Sequence, residues 1–215
     1  MLTLALPGVD TMPPARERRG ALSQWFTPAP IARKMAYWST PLGGRVLEPS
    51  AGGGALVRAW KSRLAEHDEG LEYSDVGPAQ IDAVEIDPEF AAAEGFECCD
   101  YLTRATPAER YALGLSNPPY EGGLDGAFVE KMMRECDRMI VLLRLAALAG
   151  QDRHERVWRA VEEHRDGWWM PGLAIFSSRP VFDGPESASG SAKSDFCCVK
   201  LSRVSPPSAT QVEWW

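Results

Sequence analysis

The sequence has few of the residues that build metal centres and disulfide frameworks. Among 215 residues there are five cysteines and three histidines, and no two cysteines have the C-x-x-C spacing of a zinc site. Adjacent cysteines on strands are typical of small buried residues in a reduced protein, and this chain has Cys98-Cys99 and Cys197-Cys198, with Cys136 alone. We therefore predict no metal, no disulfide and a cytoplasmic location.

Long apolar runs are also missing. Residues 1–6 are apolar, but they lack a basic flank and stop at Pro7-Gly8, so the run is too short for a signal-peptide core. The longest later apolar stretch, residues 139–150, is interrupted by Arg144 and is far short of a membrane span. We predict neither export nor a membrane segment, and interpret this stretch as a buried strand that runs into a loop.

An excess of positive charge is absent as well, since the formal net charge is −7. This argues mildly against a protein that coats nucleic acid nonspecifically, because phosphate contacts need lysine and arginine. Basic residues are nevertheless clustered at Arg16, Arg18 and Arg19, at Arg33-Lys34, and at Arg153, Arg156 and Arg159. The last group has helical spacing and indicates either phosphate contacts or a solvated helix face.

What the sequence does contain is a rigid turn, Asn117-Pro118-Pro119-Tyr120, after the apolar run 111–116. Two consecutive prolines fix φ and remove two backbone donors, so the local carbonyls and the Asn117 side chain are left to accept hydrogen bonds. Such acceptors suit an amino group conjugated to a π system, because they help to localise its lone pair. Tyr120 could stack on the ring that carries this amino group. The alternative is an ordinary proline-rich loop with a packing aromatic.

A glycine-rich turn lies about seventy residues upstream of the diproline turn. Residues 45–48 read as a short apolar strand that ends in Glu48, and Gly52-Gly53-Gly54 precede residues 55–66, which have helix-compatible composition. Glycines let the backbone approach a ligand closely, as the nucleotide-binding turn of a doubly wound fold requires. This pattern predicts a nucleotide-type cofactor site.

Four motifs follow one another at residues 48–54, 84–88, 99–102 and 117–120. Their order resembles that of S-adenosylmethionine-dependent amino-methyltransferases. Residues 24–28 also resemble the N-terminal cofactor motif of the gamma group of DNA adenine-N6 methyltransferases. The resemblance spans residues 24 to 201, most of the chain. The compact build is similar to small phage-encoded enzymes, so we expect a phage or prophage origin.

The resemblance implies that S-adenosylmethionine is the cofactor. The implied cofactor-binding residues are Thr27, Glu48, Pro49, Ala51, Gly52, Gly54, Glu85, Ile86, Asp100, Tyr101 and Asn117. Thr27 would hold the methionine carboxylate, and Glu48 would lie near the ammonium group. Gly52 and Gly54 would pass beneath the methionine part of the cofactor. Glu85 closes the second strand and would accept hydrogen bonds from the ribose hydroxyls.

The adenine part of the cofactor would be flanked by Ile86 and Tyr101, with Asp100 accepting from its amino group. Some of these residues have an alternative role. An acid at a strand end, such as Glu85 or Asp87, is often a helix cap or a first-turn charge, and Asp100 could cap the turn that follows it. Trp25 and Phe26 would be either core residues or a lid over the cavity.

The catalytic residues implied by the resemblance are Asn117, Pro118, Pro119 and Tyr120, and the substrate-binding residues are Tyr120 and Phe182. Phe182 would support an adenine rotated out of DNA. The alternatives are methylation of an RNA base or of a protein glutamine amide at the same motif, and a catalytically silent nucleic-acid-binding module. No large target-recognition region follows the last predicted strand, so we expect sequence recognition to be relaxed, to be built from loops such as 145–172 and 183–195, or to be supplied by a partner.

Strand and helix patterns alternate along the chain. Strands are predicted at 45–48, 81–86, 96–99, 112–116, 139–143, 173–176 and 196–201, and helices at 30–39, 55–66, 88–94, 126–136 and 154–164. This predicts an α/β fold with a doubly wound, mostly parallel seven-stranded sheet. The Gly/Ser-rich connector 183–194 has no helical pattern, so the last strand should be antiparallel.

The resemblance implies the same Rossmann-like arrangement, that of a class I methyltransferase. We expect an N-terminal extension at residues 1–23, a catalytic domain at 24–203 and a flexible tail at 204–215.

Overall fold

The computed structural model describes residues 25–39, 44–68, 80–182, 194–204 and 206–215. The predicted N-terminal extension and almost all of the 183–194 connector lie outside the described residues, as does the basic cluster at Arg16, Arg18 and Arg19. The described ranges contain the four motifs singled out above, together with the N-terminal segment 24–28 apart from its first residue, Gln24.

The described strands form one eight-stranded sheet in the order β3-β2-β1-β4-β5-β7-β6-β8. The strands are β1 (Arg45–Glu48), β2 (Gln80–Glu85), β3 (Glu97–Cys98), β4 (Leu113–Ser116), β5 (Arg138–Arg144), β6 (Trp169–Ile175), β7 (Phe196–Ser202) and β8 (Gln211–Trp214). Of these, only β7 is antiparallel to its neighbours, β5 and β6. The predicted α/β fold with a mostly parallel sheet is therefore confirmed, and the strand predicted at 196–201 is antiparallel as expected, although it is not the last strand.

The described helices are α1 (Ala29–Trp38), α2 (Ala55–Asp68), α3 (Pro88–Glu94), α4 (Leu124–Glu135) and α5, a helical stretch over residues 151–162 with a π-helical middle at His154–Trp158. Local chemistry explains the bounds of α3. The Asp87 side chain accepts from the Glu89 N–H (3.0 Å), Pro88 begins the helix, and Gly95 ends it at φ 72°. None of the helices in the described ranges has the length and apolar character needed to cross a bilayer.

Helices pack on both faces of the sheet. Successive side chains of a strand point to opposite faces, and β5 shows this clearly: Met139 and Val141 pack in the cluster that contains α4, whereas Ile140 and Leu142 pack with α1 and α2. The strand is buried on both sides. This explains why its sequence is a continuous apolar run rather than an alternating one.

The structure differs from the prediction at the C-terminal end of the chain. Residues Gln211–Trp214 form β8, which pairs in parallel with β6, so the sheet has eight strands rather than seven and this part of the chain is a strand rather than a flexible tail. Glu213 accepts hydrogen bonds from the indole N–H groups of Trp38 (2.9 Å) and Trp215 (3.1 Å). The contact with Trp38 attaches the strand to α1.

Candidate active site

A cavity of about 390 Å³ lies at the carboxyl ends of the central parallel strands. In open α/β sheets ligands bind at this edge, close to the point where the strand order reverses, and here β1 lies between β2 and β4. Eleven of the predicted site residues line the cavity: Thr27, Pro49, Ala51, Gly52, Glu85, Ile86, Asp100, Tyr101, Asn117, Pro118 and Pro119. Four do not, namely Glu48, Gly54, Tyr120 and Phe182.

The three glycines after β1 have different tasks. Gly52 has φ +52°, and a Cβ there would lie 2.9 Å from the Phe26 ring. Gly54 has φ +76°, and a Cβ there would lie 3.1 Å from Phe96. Gly52 and Gly54 are therefore required by the backbone conformation and close packing of the turn. Gly53 lines the cavity, and a Cβ there would meet no described atom within 4 Å. It is the glycine that leaves room for a ligand, although the sequence singled out its two neighbours.

Glu85 closes β2 and joins the glycine turn to the cavity. Its carboxylate accepts from the Gly52 N–H at 2.6 Å and from the Asp87 N–H at 2.8 Å. The cap of α3 is provided by Asp87, so the capping role considered for Glu85 belongs to the other acid. A carboxylate held by two backbone donors at the wall of the cavity is well placed to accept from ligand hydroxyls.

Glu48 lies beneath the glycine turn rather than at the cavity wall and is fully buried. Its Oε1 accepts from the Ser50 N–H at 3.2 Å and lies 3.4 Å from the Ser50 hydroxyl oxygen, whereas Oε2 has no hydrogen-bond partner among the described residues. Burial, with a smaller contribution from Glu85, raises the pKa of Glu48 well above its ordinary value. A buried carboxyl oxygen that lacks a partner fits a cationic amino group bound nearby, whose charge would favour the ionised form of Glu48.

The predicted adenine-binding residues lie at one side of the same cavity. Ile86 is 42% exposed although it is a large apolar side chain. Asp100 accepts from the Leu102 N–H at 2.9 Å, so it caps the following turn and also lines the cavity. Tyr101 is only 1% exposed, and its hydroxyl donates to Glu135 at 2.9 Å. The exposed apolar surface here is therefore provided by Ile86 more than by Tyr101.

The Asn117 side chain is held at both ends. Its Nδ2 donates to the Trp25 carbonyl at 2.8 Å, and its Oδ1 accepts from the Tyr120 hydroxyl. Because a backbone carbonyl can only accept, the amide nitrogen must face Trp25, which determines the orientation of the amide. The Ser50 hydroxyl also donates to the Asn117 carbonyl at 3.2 Å. The glycine turn and the diproline turn are thus bonded directly to each other.

Tyr120 and Phe182 form an aromatic cluster behind the diproline turn. Tyr120 is 5% exposed, and its ring centroid lies 5.6 Å from that of Phe196. Phe182 is equally buried and lies 4.8 Å from the same ring. Burial raises the pKa of Tyr120 well above its ordinary value, so its hydroxyl remains a donor to Asn117. The structure therefore places neither Tyr120 nor Phe182, the two predicted substrate-binding residues, at the wall of the cavity.

The cavity also has lining residues that the sequence did not indicate, namely Ser50, Gly53, Ala55, Leu56, Arg58, Cys99, Leu102, Leu124 and Phe128. Ser50 and Gly53 lie inside the glycine motif, which was a usable signal. Leu124 and Phe128 are one helical turn apart on α4 and carried no motif. Trp25 and Phe26, considered as core or lid, line the cavity, and the Phe26 ring packs edge-on against Phe90 at 5.0 Å.

The arginines of α5 are paired with acids. Arg156 contacts Asp152 at 3.2 Å and Arg159 contacts Glu155 at 2.5 Å, both one helical turn apart. Arg153 instead reaches the buried Asp125 of α4 at 3.0 Å. Because acids neutralise these arginines, the structure favours the interpretation of α5 as a solvated helix face rather than as a phosphate-binding surface.

No family model and no curated protein matches the sequence. Solved structures do share the fold. A modification subunit assigned to a type I restriction enzyme of Vibrio vulnificus superposes with a TM-score of 0.66 at 17% identity, covering 93% of this chain and 49% of that one. The chain thus spans about half the length of that subunit.

For two further solved structures, the superposition with this chain includes a larger share of the other protein. A Listeria monocytogenes protein assigned to the class I S-adenosylmethionine-dependent methyltransferases has a TM-score of 0.62 at 14% identity, with 96% of this chain and 68% of that chain covered. A Pyrococcus horikoshii protein assigned as an RNA methyltransferase has a TM-score of 0.60 at 17% identity, with 91% of each chain covered. The chain therefore has the Rossmann-like fold of class I methyltransferases.

Proposed function

We propose that this chain is an S-adenosylmethionine-dependent methyltransferase that modifies the N6 amino group of adenine in DNA. The observation that carries the proposal is that the glycine turn after β1 and the diproline turn after β4 line one cavity. A methyl donor held by the first turn and an amino acceptor held by the second would meet there. Holding two reactants in line contributes a large part of the rate in such transfers.

Residues around the first turn would hold the cofactor. The Glu85 carboxylate would accept from the ribose hydroxyls, and Oε2 of Glu48 would face the ammonium group. Ile86 would cover one face of the adenine ring, Asp100 would accept from its amino group, and Thr27 would contact the carboxylate. When bound, S-adenosylmethionine supplies an electrophilic sulfonium methyl group.

Residues of the second turn would hold the methyl acceptor. Oδ1 of Asn117 and the Pro118 carbonyl would accept the two N–H bonds of the target amino group. Oδ1 already accepts from Tyr120, and an amide oxygen has a second lone pair for this purpose. The Tyr120 hydroxyl and the Trp25 carbonyl would keep the amide in the accepting orientation. No strong base is required, because the proton can leave after the transfer.

The choice of DNA adenine is supported by the N-terminal segment and by one structural neighbour. Trp25, Phe26 and Thr27 line the cavity ahead of the glycine turn, which is the arrangement expected from the gamma-type motif order. The Vibrio vulnificus subunit with the same fold is a modification subunit. Adenine within a duplex would have to rotate out of the stack before its amino group could reach Asn117. Recognition of the target sequence by a partner protein is part of this proposal.

The second candidate is methylation of an RNA base. It is favoured by the Pyrococcus horikoshii protein, because the superposition covers 91% of both chains. A protein glutamine amide has the same planar NH2 group and remains the third substrate class to test.

The proposal is tested by incubating the protein with tritiated S-adenosylmethionine and, in parallel, unmethylated DNA, RNA and protein, followed by nucleoside and amino-acid analysis. We expect label in N6-methyladenine of DNA. Asn117→Ala should abolish incorporation while calorimetry still detects cofactor binding. Label in RNA or in protein glutamine would show that the substrate is RNA or protein and not DNA. Absence of cofactor binding in the wild-type protein would refute the enzyme assignment and favour the silent module.

A further inference from the structure

Arg144 is the last residue of β5 and lies beside the diproline turn. In the parallel pairing of β4 and β5, Ser116 is opposite Val141, and β5 runs on past that pair as far as Arg144. Its guanidinium carbon lies 5.0 Å from the centroid of the Tyr120 ring. Arg144 is therefore a cation at the ligand-binding edge of the sheet, in contact with the residue that holds Asn117.

The charge of Arg144 is not neutralised by any acid among the described residues. The Arg144 Nε–H is buried and has no hydrogen-bond partner in that part of the chain. The arginines of the following helix differ, because Arg153, Arg156 and Arg159 all have carboxylate partners. Removing a charged N–H from water without an acceptor is unfavourable. The cation–π contact with Tyr120 offsets part of this cost but provides no acceptor.

We infer that Arg144 binds a backbone phosphate of a polynucleotide substrate next to the base that is methylated. The guanidinium lies over the Tyr120 ring, and the planar N–H fork of an arginine matches two oxygens of a phosphate. A nucleotide whose base lies at Asn117 carries phosphates on both sides. A protein glutamine carries none, so this assignment, which rests on the proposed function, narrows the substrate to nucleic acid.

The test measures polynucleotide binding without methyl transfer. Fluorescence anisotropy would give the Kd of full-length wild-type protein for single-stranded DNA, duplex DNA and RNA of one adenine-containing sequence at several salt concentrations. Arg144→Gln should raise the Kd for the preferred polynucleotide about tenfold. It should also reduce the slope of log Kd against log salt concentration by the amount expected for about one phosphate contact. Arg156→Gln is the matched control, since it removes an exposed, ion-paired arginine from the neighbouring helix, and its Kd should stay at the wild-type value.

Equal Kd values and salt slopes for Arg144→Gln and Arg156→Gln would overturn the inference. If Arg144→Gln does not fold, Arg144→Lys decides the matter. It keeps the charge but not the planar fork, so we expect a Kd at least threefold higher with an unchanged salt slope, whereas an unchanged Kd would count against the phosphate contact. Oligonucleotides with neutral methylphosphonate linkages on both sides of the adenine should abolish the difference between wild type and Arg144→Gln, and a difference that persists would also overturn it.

These outcomes separate the inference from the proposed function. Loss of polynucleotide binding in Arg144→Gln, combined with no methyl transfer by the wild type, would leave the phosphate contact in place and remove the enzyme assignment. Methylation of DNA adenine by the wild type, combined with unchanged binding by Arg144→Gln, would remove only the phosphate contact.

Discussion

The side-chain amide of Asn117 donates a 2.8 Å hydrogen bond to the backbone carbonyl of Trp25, a residue 92 positions earlier in the chain. The bond joins the diproline turn to the segment that precedes α1. That segment also packs Phe26 against Gly52 of the glycine turn. One short segment therefore contacts both halves of the proposed site, and the orientation of Asn117 depends on it as well as on Tyr120.

Tyr120→Phe should lower kcat markedly while reducing the free energy of unfolding only slightly. The substitution removes the hydroxyl that donates to Oδ1 of Asn117 and leaves the buried ring in place. We expect kcat to fall about tenfold because the acceptor amide loses one of its two supports, with a loss of about 1 kcal/mol in the free energy of unfolding. Steady-state kinetics and urea unfolding would measure the two effects.

The matched control for that variant is Tyr111→Phe. Its hydroxyl donates to Asp82 at 3.0 Å, and Tyr111 does not line the cavity. We expect a similar loss of stability with kcat unchanged. Equal losses of kcat in the two variants would show that the Tyr120 hydroxyl has no specific role in orienting Asn117.

Gly53→Ala should reduce cofactor affinity without destabilising the fold. The new methyl group would meet no described atom within 4 Å and would project from the cavity wall. Gly52→Ala makes a contrast at the neighbouring position, because its φ of +52° and the 2.9 Å approach to Phe26 make that change strained. Thermal unfolding and calorimetry with S-adenosylmethionine would separate the two effects. Normal cofactor affinity in Gly53→Ala would mean that the ligand lies away from this glycine.

Glu85→Gln should weaken cofactor binding by about 10- to 100-fold, because charge-assisted hydrogen bonds to the ribose hydroxyls would be lost. Calorimetry would give the two dissociation constants. Glu97→Gln is the control, since Glu97 is also an acid near a strand end but is half-exposed and paired with Arg104 at 3.0 Å. Comparable affinities for the two variants would rule out Glu85 as a cofactor ligand.

Glu48 should make stability depend on pH. Burial raises its pKa well above the ordinary value of 4.5, so in this range the folded protein binds a proton more tightly than the unfolded chain does. The contribution of Glu48 to the free energy of unfolding therefore falls as the pH rises from 4.5 toward the raised value. Urea unfolding between pH 5 and 8 should show the wild type losing stability relative to Glu48→Gln. Parallel curves for the two proteins would contradict the raised pKa.

The parts of the fold that sequence predicted are those with local signals. The glycine turn could be located because Gly52 and Gly54 adopt positive φ, which favours glycine. The bounds of α3 were predicted at residues 88–94 and observed there, because a proline begins the helix and a glycine ends it. Even so, three identical residues in the turn could not reveal at which glycine a side chain would meet open space, since this depends on the positions of Phe26 and Phe96.

What the sequence could not provide depends on contacts between distant residues. Strand β8 has no strong strand pattern of its own and is attached by the contact between Trp38 and Glu213, which are 175 positions apart. The direction of the Tyr120 ring is likewise set by Phe196 from β7 and by Arg144 from β5. The motif predicted Tyr120 as a stacking surface, but the structure places its hydroxyl on Asn117. Motif residues indicate where a site lies more reliably than which way a side chain points.

The most direct test of the account is a crystal structure of the protein with S-adenosylhomocysteine, the product form of the proposed cofactor. We predict that it lies in the cavity between the glycine turn and Asn117, with its ribose hydroxyls on Glu85 and its sulfur facing the diproline turn. Density for this compound at any other surface, with the cavity at Asn117 filled only by solvent, would contradict the account.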